Sequence, residues 1–253
     1  MERFLMWSGG KDSTASIIIC HEKGIKLDGV IFSEVMFDHK RGISGENPDF
    51  IKWMYDLAIP KIREMGYSVI ALRSEKDYIS VFNKTIRRGK RQGKKYGFPI
   101  GGRCWANSRL KFCHVSAFLK SHPDCEQIVG IAADETERYG RAKARGKRSV
   151  LCEYGIKEEQ TYDICRKYGL LSPTYEHSTR GGCWFCPNQS IKELARLRSN
   201  HPGLWNELVE LSHTPNLCSY GFKYGKTVQE VEKEMDAHDA LVEYEKSQLS
   251  FFD

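Results

Sequence analysis

Three features of this 253-residue chain predict an α/β fold built on a parallel sheet, with a small helical subdomain at the C-terminal end. Short apolar runs alternate with segments of helical periodicity as far as Ala132, which is typical of βαβ units. A Gly-Gly turn joins the first apolar run to the first helical segment. After about Ser149 the pattern becomes helical and irregular, and it includes a Cys-x-x-Cys. We therefore expect a sheet domain over residues 1–148 and a cysteine-bearing helical subdomain over 149–253.

The predicted elements of the sheet domain follow one another along the chain. Buried strands are expected over residues 4–7, 29–33, 67–72 and 127–132. The first helix is expected to include residues 15–19. A second helix is expected over residues 48–65, capped by Asn47 and kinked by Pro60. A third is expected over residues 107–121.

The turn after the first strand carries the most chemistry. A strand, a glycine turn and a helix gather backbone N–H groups around an anion. The two glycines let the backbone approach a phosphate closely, because they carry no Cβ. Hydroxyl groups and one lysine add further donors, so the segment predicts a nucleotide phosphate site. Its residues are Ser8, Gly9, Gly10, Lys11, Asp12, Ser13 and Thr14.

Other polar residues follow later strands of the predicted sheet. In parallel sheets, ligands bind beyond the carboxyl ends of the strands, at the point where the strand order reverses. Ser33 and Glu34 follow the second strand, and Asp134 and Glu135 follow the fourth. We expect these pairs to converge with the glycine turn on one cleft of a Rossmann-like domain.

Composition limits the class of protein. Charged residues make up 28% of the chain and hydrophobic residues 40%. No apolar run approaches the ~20 residues of a membrane span. The nine cysteines come without an apolar N-terminal leader, which favours the reducing cytoplasm, where thiols are free or bind metal.

Positive charge is concentrated in one part of the sequence. The net charge is +6, yet no acidic residue occurs between Asp77 and Asp124. The basic segment 84–111 lies inside this window, and a second basic cluster covers residues 138–148. Such separation favours a polyanionic partner such as nucleic acid, although a solvated loop would give the same pattern.

Four cysteines are candidate metal ligands. A Cys-x-x-Cys turn can direct two sulfurs at one metal, and two further thiols in the basic segment would complete a tetrahedral zinc site or hold an iron–sulfur cluster. A redox dithiol or a set of buried cysteines remains an alternative, and Cys152 and Cys218 remain possible substitutes. The four candidates are Cys104, Cys113, Cys183 and Cys186.

The segment from Ser8 to Ser13 resembles the PP-loop of the ATP pyrophosphatases, which cleave ATP between its α and β phosphates. Beyond the loop, the chain resembles the phosphoadenosine phosphosulfate (PAPS) reductase-like branch of that superfamily. The matching segments are residues 45–48, 109–111, 130–138 and 181–187. The resemblance implies an adenine nucleotide alpha hydrolase-like fold. Members related to the DNA phosphorothioation sulfur-transfer component combine such a loop with a four-cysteine iron–sulfur site, and this chain looks similar.

Two departures from the true reductases bear on the expected reaction. Those enzymes carry a reactive cysteine in a Glu-Cys-Gly-x-His tail, whereas no cysteine follows Cys218 here. Their phosphate loop is degenerate, whereas this one has the complete ATP form. We therefore expect an adenylylating enzyme that releases AMP and diphosphate and transfers sulfur to nucleic acid or a nucleotide. A sulfonucleotide reductase and a non-catalytic zinc-containing nucleic-acid-binding module are the alternatives.

The resemblance also implies roles for individual residues. ATP with Mg²⁺ would place its β and γ phosphates on the loop, where Lys11 neutralises charge and Asp12 orients the loop or holds the metal ion. Adenine would lie near Ser33 and Glu34, with Asp134 at the same cleft. A sulfur donor, such as a donor protein, would then displace AMP. The cations expected to stabilise attack at the α phosphate are Arg103, Arg109, Lys111 and Arg138.

Overall fold

The computed structural model describes residues 1–99, 104–178 and 181–249. It confirms the predicted α/β class. The strands are β1 (Arg3–Trp7), β2 (Gly29–Glu34), β3 (Met36–Asp38), β4 (Ile43–Ser44), β5 (Val69–Arg73), β6 (Glu126–Val129) and β7 (Lys147–Arg148). The α-helices are α1 (Lys11–Glu22), α2 (Pro48–Trp53), α3 (Ile59–Glu64), α4 (Tyr78–Phe82), α5 (Phe112–Ser121), α6 (Thr136–Lys143), α7 (Val150–Glu153), α8 (Glu158–Lys167), α9 (Ile191–Asn200), α10 (Pro202–Ser212) and α11 (Val228–Leu249).

Five strands form one sheet in the order β5-β2-β1-β6-β7, and every neighbouring pair is parallel. Counted along the chain, this is the 3-2-1-4-5 order of a Rossmann-like sheet. The order reverses beside β1, so the turn after β1 lies at the switch point where such sheets bind ligands. The sequence missed the two-residue strand β7 and the antiparallel β3–β4 pair, because such short strands leave little periodicity.

The two long predicted helices each contain a π-helical turn. Asn47 caps α2 as expected, since its side chain accepts from the N–H groups of Asp49 and Phe50. The turn Met54–Ala58 then separates α2 from α3, just ahead of Pro60, which has no N–H to donate. A second such turn, Asn107–Lys111, leads into α5.

Two hydrophobic clusters hold the fold together. The first joins the sheet to α1, α2, α3, α7 and α8, and Leu5, Ile17 and Leu151 are fully buried in it. The second contains Phe37 and Tyr78 from the first part of the chain, together with aromatic and aliphatic residues as far as Met235. Each cluster therefore draws on both sides of residue 148, and the division at that point stays a prediction.

A charged cluster marks the opposite end of the sheet from the glycine turn. Glu126, at the start of β6, pairs with Arg3 and Arg148. Burial acts to raise the pKa of Glu126, but the two guanidinium groups outweigh it and lower that pKa below its usual value. No helix among the described residues is both long and apolar enough to cross a membrane.

Candidate active site

The glycine turn connects β1 to α1 and is shaped by close packing. Gly9 has φ +73°, in the left-handed region that favours glycine. A Cβ at Gly9 would lie 2.4 Å from the ring of Phe50 on α2. Gly10 is the N-cap of α1, with extended backbone. The first N–H groups of α1 have no partner within the helix, as at any helix N-terminus, and the binding of an anion there stays a prediction.

The hydroxyl groups of the turn take different roles. The Ser13 hydroxyl accepts from the Ser8 N–H at 3.2 Å and donates to the Gly10 carbonyl at 3.0 Å, so it holds the turn closed. Thr14 is fully buried, and its hydroxyl accepts from the Trp7 indole N–H at 3.0 Å. Ser13 therefore shapes the turn, whereas Thr14 fixes α1 to β1 from the core side.

Lys11 is held inside the protein by two carboxylates. Its side chain is 4% exposed, and its Nζ lies 2.7 Å from Asp12 Oδ1 and 2.7 Å from Glu158 Oε1. Burial acts to lower the pKa of Lys11, but the two hydrogen-bonded carboxylates outweigh it and raise that pKa. Thr161 also donates to Asp12, at 3.0 Å. Lys11 thus remains a cation whose charge is balanced by two carboxylates of the protein itself.

A tyrosine covers the start of α1. The Tyr175 hydroxyl accepts from the Lys11 backbone N–H at 2.9 Å and would lie 3.2 Å from a Cβ at Gly10. Burial raises the pKa of Tyr175, so this hydroxyl stays protonated. Sequence reasoning missed Tyr175, Glu158 and Thr161, because none of them belongs to a motif and all lie more than 140 residues from the turn.

The turn opens into a cleft of about 540 Å³ that also contains cysteines. Ser8, Gly9, Gly10, Lys11 and Asp12 line it on one side. The other contributors include a buried acid, a lysine and three of the four predicted thiols. These are Glu46, Lys111, Cys104, Cys183 and Cys186.

Glu46 and Lys111 form an opposite-charge pair in this cleft. Lys111 Nζ lies 3.9 Å from Glu46 Oε1, and one third of the lysine side chain is exposed. Glu46 raises the pKa of Lys111, with Cys183 adding to the effect, so the lysine stays charged. The sequence predicted Lys111 for this cleft but gave no role to Glu46.

The Cys-x-x-Cys turn packs against the β3–β4 pair. The Cys186 N–H donates to the Cys183 carbonyl at 3.0 Å, and the Trp184 N–H donates to the Gly45 carbonyl at 3.1 Å. Burial, followed by Glu46, raises the pKa of the Cys183 thiol. Among the described residues, no three His, Cys, Asp or Glu side chains are placed closely enough to hold a metal ion.

Cys113, the fourth predicted ligand, does not line this cleft. Its thiol is exposed on α5, donates to the Arg109 carbonyl at 2.8 Å and lies 3.8 Å from His114 Nδ1. The structure thus brings three of the four predicted thiols into one cleft and leaves Cys113 on another surface.

The three thiols have the right chemistry for a sulfur-ligated metal group, but their side chains as described are not placed closely enough to hold one. Thiolates are the ligands that zinc and iron–sulfur clusters prefer. The phenol oxygen of Tyr78, whose ring packs against those of Trp105 and Phe185, is buried without a hydrogen-bond partner among the described residues. Within residues 1–99, 104–178 and 181–249, no other buried side-chain nitrogen or oxygen lacks one.

The remaining predicted site residues do not line the cleft. Ser33 bonds to His114 Nε2 at 2.8 Å, and Glu34 is buried beneath Tyr55 and Arg73. Asp134 accepts a hydrogen bond from the Glu158 N–H at 3.1 Å. Its connection to Lys11 is therefore indirect, through Glu158 at the start of α8.

The predicted arginines also lie away from the cleft. Arg109 turns towards Tyr96, donating to its hydroxyl at 2.8 Å. Arg138 pairs with Glu135 and lines a separate basic pocket with Arg141, Arg145 and Lys147. Arg103 lies outside the described residues.

The basic segment forms an exposed loop that is closed by backbone hydrogen bonds. The Ile86 N–H donates to the Lys94 carbonyl at 2.8 Å, and the Gly93 N–H donates back to the Ile86 carbonyl at 3.0 Å. Lys95 pairs with Leu217, which anchors the base of this loop to the C-terminal part of the chain. Six cations on the loop are exposed: Lys84, Arg87, Arg88, Lys90, Arg91 and Lys94.

No family model matches the chain. It is similar to the uncharacterized protein MJ0066 of Methanocaldococcus jannaschii, with 23% identity over 234 residues that cover 87% of this chain and 44% of that protein. The chain therefore spans less than half the length of this relative. Among solved structures it is similar to the U34-tRNA thiolase NcsA from Methanococcus maripaludis with its [4Fe-4S] cluster, at 17% identity and a TM-score of 0.38. That match covers 93% of this chain and 81% of the thiolase chain, and we draw no conclusion about activity from it.

Proposed function

We propose that this protein is a PP-loop ATP pyrophosphatase that adenylylates a substrate and transfers sulfur to it, with nucleic acid or a nucleotide as the acceptor. One observation carries the proposal: the glycine turn after β1 and three cysteines line the same cleft. A phosphate site and a thiol set in one cleft allow activation and sulfur transfer to occur on one bound substrate.

The loop side of the cleft accounts for the first step. Backbone N–H groups from Gly9 to Ser13 would hold the β and γ phosphates, and Mg²⁺ would bind near Asp12. For the phosphates to reach these groups, the Tyr175 hydroxyl must give up its hydrogen bond with the Lys11 N–H. Attack by an acceptor oxygen on the α phosphorus then forms an O–P bond, and the bond to diphosphate breaks.

Charge stabilisation in this step falls to Lys111. Lys111 and Lys11 both line the cleft. One third of the Lys111 side chain is exposed. The Lys11 side chain is buried, and its charge is neutralised by Asp12 and Glu158. Transfer of phosphoryl groups needs preorganised positive charge more than covalent help. Lys111 is therefore the proposed catalytic cation, and Lys11 is proposed to keep Asp12 in place.

The cysteine side accounts for the second step. Cys104, Cys183 and Cys186 would hold an iron–sulfur cluster or zinc, and such a group would bind and polarise a sulfur ligand. A sulfur nucleophile forms a bond to the activated carbon of the acceptor, and AMP leaves with the carbon–oxygen bond electrons.

Nucleic acid is the proposed acceptor because of the exposed loop over residues 84–95. Its six exposed cations have no acidic neighbour in the sequence from residue 78 to 123. Such loops contact phosphate backbones and make binding dependent on salt.

The products of ATP test the proposal. Under anaerobic conditions with sulfide and either total RNA or genomic DNA, we expect AMP and diphosphate in equal amounts, formed only with nucleic acid present. Ser13→Ala should abolish both products, since the turn loses the hydroxyl that closes it. Ser121→Ala, at the exposed end of α5, is the matched control and should have no effect. Release of ADP and phosphate, or of sulfite from PAPS, would contradict the proposal.

A further inference from the structure

Two tyrosines near the C-terminal end of the chain are exposed on a turn that lacks acidic residues. Tyr220 is 69% exposed and Tyr224 is 84% exposed. Both belong to residues 211–229, a stretch without Asp or Glu. Single exposed apolar residues need no explanation, whereas neighbouring ones mark interaction sites. We call residues 216–226, which carry both rings, the aromatic turn.

The aromatic turn has a fixed backbone. Gly221 has φ +69°, and a Cβ there would clash with the Lys226 carbonyl. The Phe222 N–H donates to the same carbonyl at 2.9 Å. The Phe222 ring is fully buried and packs against that of Phe98, with 5.5 Å between the ring centroids. The two exposed tyrosines lie on either side of this anchor, so their backbone loses little freedom when a partner binds.

The aromatic turn is joined to the basic loop over residues 84–95 by backbone contacts. The Lys95 N–H donates to the Asn216 carbonyl at 2.8 Å, and the Cys218 N–H donates to the Lys95 carbonyl at 2.7 Å. The Phe98 N–H donates to the Ser219 hydroxyl at 2.8 Å. The tip of the loop, at residues 89–92, is at most six residues from Lys95, which limits its distance from this anchor to ~22 Å. The cations and the two rings therefore lie on neighbouring parts of one surface.

The two parts of this surface supply different chemistry. In the aromatic turn, the Lys223 ammonium donates to the Pro187 and Gln189 carbonyls, and Lys226 pairs with Glu234. Those two charges are already engaged by the protein. The positive charge of the surface therefore comes from the six exposed cations of the basic loop, and the turn contributes aromatic rings.

Cations beside exposed rings form the combination that binds single-stranded nucleic acid. The cations follow the phosphate backbone, and unpaired bases stack on the rings. In a duplex the faces of the bases are already stacked on one another, so the rings gain nothing. An acidic protein would likewise use the cations without needing exposed rings. Unpaired nucleic acid is the partner that uses both features.

We propose that the aromatic turn and the basic loop form one binding surface for an unpaired stretch of nucleic acid. Phosphates lie along the loop, and bases stack on Tyr220 and Tyr224. The inference rests on the nucleic-acid part of the proposed function and narrows its acceptor to molecules with a single-stranded segment. It does not depend on a metal or on cleavage of ATP.

The test measures binding by the full-length protein without ATP, using fluorescence anisotropy at several salt concentrations. The probes are labelled oligo(dT) and oligo(rU) of about 16 nucleotides, and a blunt DNA duplex of the same length. We expect the single strands to bind at least about tenfold more tightly than the duplex, because only they can stack on the rings.

Alanine at either tyrosine separates stacking from charge. Tyr220→Ala and Tyr224→Ala should each weaken binding of the single strands about 5- to 150-fold, the range that corresponds to one stacked base. Binding of the duplex and the salt slope should stay unchanged, since a ring releases no counterions. Tyr220→Phe and Tyr224→Phe should bind the strands as the parent does, because phenylalanine also stacks.

Tyr244→Ala is the matched control. Tyr244 is 63% exposed on α11, but it lies between Glu243 and Glu245 in the sequence. Its loss should leave binding of all three probes unchanged.

Four results would overturn the inference. They are a duplex bound as tightly as the strands, alanine variants with the parent's affinity for the strands, and phenylalanine variants as weak as the alanine variants. The fourth is a protein that binds none of the probes at low salt, which would also remove nucleic acid from the proposed function. Strand binding with the expected losses but no diphosphate from ATP would leave this inference standing and defeat the adenylylation proposal alone.

Discussion

Gly130→Ala should displace the backbone at the start of α1, next to the glycine turn. Gly130 follows β6, and a Cβ there would lie 2.4 Å from the Ser13 nitrogen, 2.5 Å from the Ser13 Cα and 2.7 Å from the Asp12 carbonyl carbon. All three are backbone atoms, so the clash cannot be relieved by rotation of a side chain. The start of α1 must therefore move away from β6.

The size of the effect follows from these distances. Ordinary contact begins at 3.4 Å, so the backbone at Ser13 must retreat by about 1 Å. Overpacking of this kind costs about 1–3 kcal/mol of folding free energy. A displacement of about 1 Å in a group that positions substrate can lower the rate about 100-fold. We therefore expect diphosphate formation to fall much further than stability.

Urea unfolding and the rate of diphosphate release measure the two effects separately. Gly140→Ala is the control: Gly140 lies in α6 with nothing within 4 Å of its added Cβ, and the change should stabilise the helix by about 0.5–1 kcal/mol. A Gly130→Ala variant with normal nucleotide affinity, normal diphosphate release and unchanged stability would refute the packing of β6 against the turn.

Three further outcomes follow from the site and its surroundings. Cys183→Ser should lower the metal content of anaerobically purified protein, whereas Cys113→Ser should leave it unchanged, because only the first thiol lines the cleft; equal losses in both variants would contradict this assignment. The carboxylate of Glu126 has a lowered pKa, so the stability it contributes is complete above its usual pKa of 4.5 and is lost as the pH falls through the lowered value. Glu126→Gln should therefore flatten the acid side of the stability curve, and a curve identical to that of the parent would count against the ion pairs. Alanine at the four cations of segment 87–91 should weaken nucleic-acid binding and reduce its salt slope by up to about 4, measured by titration at several salt concentrations, since each phosphate contact contributes about 0.9; an unchanged slope would exclude this loop from the interface.

Local signals in the sequence predicted the framework of the fold. Apolar runs marked the four longer strands of the sheet, and the Gly-Gly turn follows the strand beside which the strand order reverses. The cap at Asn47 and the irregularity ahead of Pro60 also followed from residue chemistry. The strand β7 escaped prediction because two residues carry no period.

The inside of the cleft depends on contacts between distant parts of the chain. Lys11 was expected to face phosphate, yet its partner Glu158 comes from a helix 147 residues away. Thr14 belongs to the same motif as Ser13 but faces the core, since α1 turns its side chain towards Trp7. Glu46 became visible only when the fold placed it beside Lys111 in the cleft. A motif predicts which chemical groups are present near a site. The tertiary fold determines which of those side chains face the cleft and which face the core.

We expect this cleft to bind a triphosphate at its glycine turn, with the α phosphorus exposed to the side of the cleft that carries the three cysteines. A crystal structure of the anaerobic protein with α,β-methylene ATP and Mg²⁺ tests it most directly. We expect the β and γ phosphates on the N–H groups of residues 9–13, Tyr175 moved off the Lys11 N–H, and the α phosphorus facing the side of the cleft that carries Cys183. A nucleotide bound elsewhere, or a triphosphate facing away from the cysteines, would contradict the account.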